Sequence, residues 1–132
     1  MAWMDQEKKQ LIAPQVKQVL KKYRVKGSLA VRNHSTLVLN MKSGSLDFIA
    51  NFNEVSKTRG PESRLAEGSL DVNPYWYKEH FSGRSLEFMK ELFTAMKGDI
   101  WYDKSDIMTD YFDTAYYIDV NIGAWNKPYF ID

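Results

Sequence analysis

Four aspartates, Asp103, Asp106, Asp110 and Asp113, recur at +3, +4 and +3 in the last third of the chain. On a helix that spacing lines one face, and clustered carboxylates are how proteins hold hard cations such as magnesium or calcium. The residues between them weaken this reading: Ile107, Thr109, Tyr111, Phe112 and Thr114 favour strand or loop, which scatters the carboxylates. The fixed glycine and closing glutamate of a calcium loop are also missing. Aspartates acting as turn formers and caps are the plainer expectation. The two histidines, His34 and His80, are the other titratable candidates. Acid–base catalysis needs a histidine oriented by a carboxylate, with a nucleophile in reach. Glu79 adjoins His80 in sequence, and adjacency alone does not bring it to the ring. There is no phosphate-binding glycine loop, no dinucleotide fingerprint and no serine elbow. Cysteine is absent, which excludes disulfides, thiolate metal sites and cysteine nucleophiles. The expectation is a protein that is not an enzyme and carries no cofactor or metal.

Charge narrows the choice further. The formal net charge is +1 over 132 residues, without the Lys/Arg excess usual in nucleic-acid proteins. The balance is uneven along the chain. Lys8, Lys9, Lys17, Lys21, Lys22, Arg24, Lys26 and Arg32 crowd the first third; Asp99, Asp119 and Asp132 join the four aspartates in the last. Such opposed patches steer partners or pair with each other. No apolar run approaches the roughly 20 residues that span a bilayer, and the N-terminus lacks the apolar core of a secretory signal. A cytoplasmic location is expected, with no membrane contact.

The elements that must position any site follow from periodicity. Ile12, Val16, Val19, Leu20 and Tyr23 form a helical stripe. A helix is expected from about Pro14 to Arg24, after a short turn through 6–11; the alternative is one longer helix kinked at the proline. Leu29 and Val31, the turn residues Asn33, His34 and Ser35, then Leu37, Leu39 and Met41 predict a β-hairpin. A short second helix should run from a Ser45 cap to about Ser56, and a third from Ser85 to Lys97, closed by Gly98 in the left-handed conformation. Residues 57–73 read as one long loop, and Asn73-Pro74-Tyr75-Trp76-Tyr77 as an aromatic turn. Tyr116, Ile118, Val120 and Ile122 alternate with Tyr117, Asp119 and Asn121, the mark of a strand with one buried face. A short apolar run around Tyr129 and Phe130 completes the chain. The expectation is a single α+β domain over 1–132. Its mainly antiparallel sheet has three or four strands with helices packed on one face, in the order α-β-β-α-α-β-β.

If the strands share a sheet, Arg32, Asn40, Lys42, Tyr117, Asp119 and Asn121 fall on the face opposite Leu29, Leu39 and Ile118. With the tryptophans Trp76, Trp101 and Trp125, which cannot all be buried in so small a fold, Arg32, Asn40, Lys42, Tyr117 and Asn121 are the binding-surface candidates. Aromatic side chains are favoured interface anchors. A helix or the long loop covering that face is the competing expectation.

The run Gln15–Tyr23, the hairpin Ser28–Arg32 with Leu37–Asn40, and the short helix that follows resemble a large polyvalent protein-associated domain of phages and conjugative elements. The ending Tyr116–Tyr129 resembles endings of small tailed-phage proteins. The resemblance implies a mobile-element protein of a bacterial cytoplasm without an assigned enzymatic role, and supplies no site residues. The expected function is a non-enzymatic binding module engaging a host or phage protein. The alternative is single-stranded nucleic-acid binding through an open sheet face and the basic first helix.

Overall fold

The computed structural model describes residues 2–60, 65–104 and 114–132. Among the described residues it is an α+β fold with four helices and a mixed five-stranded sheet. In chain order the elements are α1 (Gln6–Tyr23), β1 (Val25–Arg32), β2 (Thr36–Gly44), α2 (Phe48–Thr58), β3 (Leu70–Val72), α3 (Tyr77–His80), α4 (Gly83–Lys97), β4 (Tyr117–Ile122) and β5 (Phe130–Ile131).

The first helix is one continuous element through Pro14, the longer of the two alternatives. Pro14 and Gln10, whose carbonyl loses its intrahelical donor, both lie on the exposed side, where water can satisfy that group. Asp5 caps the start by accepting from the Lys8 N–H at 2.8 Å. Ile12, Val16, Leu20 and Tyr23 are buried. Arg24, at φ 55°, reverses the chain directly into β1. The hairpin that follows is as expected. Asn33 and His34 both take positive φ, as a type I′ turn demands, and Leu29 and Val31 pair with Leu39 and Leu37. The capping expectations need correction in detail. Asp47, not Ser45, caps α2, accepting from the Ala50 N–H. The third predicted helix starts at Gly83, and Ser85 is buried within its first turn. Gly98 closes it at φ 54° and ψ −147°, a positive-φ conformation outside the left-handed helical region and open to glycine almost alone.

The sheet departs from expectation in direction. Its order is β1-β2-β4-β3, with β5 also against β2. The β1–β2 and β3–β4 pairs are antiparallel, but β2 pairs with β4 and with β5 in parallel. The sheet is therefore mixed rather than mainly antiparallel. Its physical cause is the long connection carrying α2, β3, α3 and α4 between the two strands, since parallel neighbours need such a crossover. Part of the expected loop is also structured. Leu70–Val72 is an edge strand of β4, and Asn53 clamps Ala66 through both its backbone N–H, at 2.7 Å, and its carbonyl, at 3.0 Å. Residues 61–64 lie outside the described residues, as do Asp106, Asp110 and Asp113.

A single core joins one sheet face to the helices. Leu37, Leu39, Met41, Val120 and Ile122 meet Val16 and Leu20 of α1, Phe48 of α2, and Phe88, Met89, Leu92 and Met96 of α4. Tyr116 enters it just before β4, its hydroxyl donating to the Met96 carbonyl at 2.6 Å. Gly123 ends β4 at φ 67°, where an added Cβ would lie 2.5 Å from the Tyr129 nitrogen. Without a Cβ at Gly123 the last segment can fold back this closely, and Tyr129 buries its ring beside Phe48.

Candidate functional site: the outer face of the sheet

The pleat sends alternate side chains of every strand away from the helices. Strand register places these side chains in rows across the sheet. Arg32, Thr36 and Tyr117 form one row; Ala30, Val38 and Asp119 the next; Ser28, Asn40, Asn121 and Asp71 the third. Lys42 follows on β2. Of the eight candidate residues, Arg32, Asn40, Lys42, Tyr117 and Asn121 thus share one face.

Their pairing decides what the face can do. Arg32 on β1 forms an ion pair with Asp119 on β4, Nη1 to Oδ2 at 2.9 Å. Those strands flank β2, so the pair crosses it above Thr36 and Val38. Val38 is only 4% exposed although it lies on the side away from the core. Asn121 Nδ2 donates to Asn40 Oδ1 at 3.0 Å, leaving each amide further hydrogen-bonding capacity. Tyr117 stands 51% exposed at the start of β4.

Beside Tyr117 lies a cleft of about 90 Å³, walled by Pro74, Tyr75, Lys97 and Trp101. Trp101 is half-buried, its Nε1 donating to the Tyr116 carbonyl at 2.8 Å and its ring covered by the Lys97 ammonium at 4.5 Å. It therefore packs against the core as a wall of the cleft and is not a free anchor. Tyr75 was not anticipated. Asn73 Oδ1 accepts from the backbone N–H of both Tyr75 and Trp76, an Asx-turn that presents the two rings outward. The Asn-Pro step was the available signal for this turn. Trp76, at the start of α3, is exposed but does not line the cleft. Trp125, 90% exposed, sits in the turn closed by Ala124 and Lys127, past the opposite end of β4 from Tyr117.

The other candidates resolve locally. His34 stacks on Trp3 with ring centroids 5.6 Å apart, and its carbonyl accepts the Met4 N–H. His80 packs edge-on against Phe52 in a cleft of about 640 Å³ that also holds Glu67 and Asp71. Burial, and then the Arg59 charge, pull its pKa below the ordinary value, against a smaller upward pull from Glu79. No carboxylate hydrogen-bonds its ring among the described residues. Asp103 bridges to Thr114, Oγ1 to Oδ1 at 3.4 Å. Among the described residues no group of three or more His, Asp or Glu side chains is placed to hold a metal ion, and no helix is long and apolar enough to cross a membrane. Compared with protein-family models, curated proteins and solved structures, the chain matches none.

Proposed function

We propose that this chain is a non-enzymatic binding module that engages a protein partner through the outer sheet face and the Tyr75–Tyr117 cleft. The observation that carries the reading is an exposed tyrosine beside a polar surface whose arginine and two amides are already paired. Arg32 is held by Asp119, Asn40 and Asn121 are coupled amides, and Tyr117 stands free at the rim. An aromatic anchor with neutral hydrogen-bonding groups around it suits a wet protein interface. A phage or mobile-element setting, with a host or phage protein as partner, belongs to this proposal and rests on the resemblance of the first helix, hairpin and ending.

The same pairing weighs against single-stranded nucleic acid. Among the described residues of these rows of the sheet, Lys42 is the cation without an ion pair. The basic helix α1 packs against the opposite, core face of the sheet, and its Lys22 is engaged by Glu91 at 2.8 Å. One strand of nucleic acid cannot lie on both surfaces at once. The test is capture from bacterial lysate with the full chain and with Tyr117→Ala. A protein retained by the first and lost about tenfold or more by the second supports the proposal. Nucleic acid recovered alone, released steeply as salt rises, overturns it.

A further inference from the structure

A second surface lies along the outer edge of β1, away from the face just described. β1 ends the strand order, and the directions of its backbone groups follow from the other side of β2. The Tyr117 N–H donates to the Ser35 carbonyl at 2.9 Å and the Gly123 N–H to that of Met41 at 2.7 Å. Odd-numbered residues of β2 therefore turn their backbone groups toward β4, and even-numbered ones toward β1. Arg32, Ala30 and Ser28 oppose Thr36, Val38 and Asn40, so Leu29 and Val31 aim both N–H and C=O away from the sheet.

A groove runs beside those groups, which have no hydrogen-bond partner among the described residues. Because Arg24 reverses the chain, α1 lies antiparallel along β1, and between them is a channel of about 400 Å³ reaching from Lys17 and Gly27 to Gln6 and Leu29. It continues past Val31 toward the hairpin turn as a further volume of about 430 Å³. Ala13 and Leu29 give it an apolar floor, while Lys9 and Lys17 stand on its helix wall. Among the described residues neither lysine forms an ion pair.

We propose that this groove accepts an extended segment of a partner protein as an added strand on β1, with apolar side chains on the Ala13–Leu29 floor and carboxylates against Lys9 and Lys17. Backbone pairing supplies affinity in this mode, and alternate side chains supply selectivity. The unpaired cations argue for an acidic segment. They also argue against a second copy of this chain, because a β1–β1 pair would bring two sets of Lys9 and Lys17 together. The inference shares with the previous proposal only the idea of a protein partner, and it does not use the outer face.

A random dodecapeptide display library selected on the full chain provides the test. The enriched peptides should alternate apolar and acidic residues, and Lys9→Glu with Lys17→Glu should lower their affinity about tenfold or more while Tyr117→Ala leaves it unchanged. Both lysines are outside the core, and an unchanged circular dichroism spectrum verifies folding. A strand directs successive N–H groups to opposite sides. Methylating the backbone nitrogens in one alternating frame of the best peptide should abolish binding, and the other frame should leave it nearly intact. The inference is overturned by an absence of enrichment, by equal effects of both frames, or by binding that survives the lysine variants. A concentration-dependent dimer in sedimentation that the same lysine variants alter also overturns it. Loss of binding with Tyr117→Ala alone would place the peptide on the outer face and favour the previous proposal instead.

Discussion

Leu39 and Val38 are neighbours on β2, both almost fully buried, and what buries them differs completely. Leu39 is enclosed by the helices and faces Val120 and Leu29 in the core cluster. Val38 lies on the other side, beneath an ion pair that spans its strand. One face of the sheet is thus closed by apolar packing, which loses contacts outright when a side chain is truncated. The other is closed by polar side chains that water can replace. Stability should reside in the first face and recognition in the second.

The sharpest way to break this division is Leu39→Ala. It should lose about 2–5 kcal/mol in urea unfolding, and a loss below about 1 kcal/mol would mean the helical layer does not close on that face. Next comes Tyr116→Phe. Its buried hydroxyl donates to the Met96 carbonyl, with that of Lys97 at 2.9 Å. Removing it leaves a buried acceptor unmatched, at about 1–3 kcal/mol, with the fold retained by circular dichroism.

Effects on the outer face should be smaller. A double-mutant cycle on Arg32→Ala and Asp119→Ala should give a coupling of about 0.2–1 kcal/mol that shrinks in high salt, because the arginine is more than half exposed. A coupling above that range and insensitive to salt would put the pair in a drier setting than the free chain provides. Tyr117→Ala should shift stability by no more than about 0.5 kcal/mol, while changing whatever the face binds. Unfolding of this variant would move Tyr117 into the structural half of the comparison.

The last prediction concerns pH. His80 is held below its ordinary pKa of 6.5, so the unfolded chain takes up its proton first as pH falls. Its contribution is present in full above 6.5 and is lost as pH drops through the lowered folded value. A stability profile between pH 7.5 and 4.5 should therefore show a decline that His80→Gln reduces. Identical profiles for the two proteins would show that burial beside Phe52 does not disfavour the charged ring.

Much of this was legible in the residues. The alternation of Leu37, Leu39 and Met41 against Asn40 and Lys42, and of Val120 and Ile122 against Tyr117 and Asn121, assigned the two faces before any partner was known. The hairpin was written in Asn33-His34-Ser35. The stripes of α1 and α4 marked their buried sides. Leu70–Val72 was not legible as a strand. Three residues are too few to display a period, and the triplet pairs only because β4 offers it an edge. Tyr75 was legible as part of an aromatic turn but not as a site residue, because its neighbour in space, Tyr117, is remote in sequence.

By itself, the sequence determined which side chains of each element turn toward apolar surroundings, because a helix or strand repeats on a period that its own residues reveal. Tertiary structure decided how those elements meet. The parallel course of β4 beside β2 depends on where the connection carrying α2, α3 and α4 returns the chain, which no local pattern encodes. Likewise, Arg32 is available to a partner or committed to Asp119 according to the register of three strands. Its charge was plain in the sequence, and its engagement came only with the folded sheet.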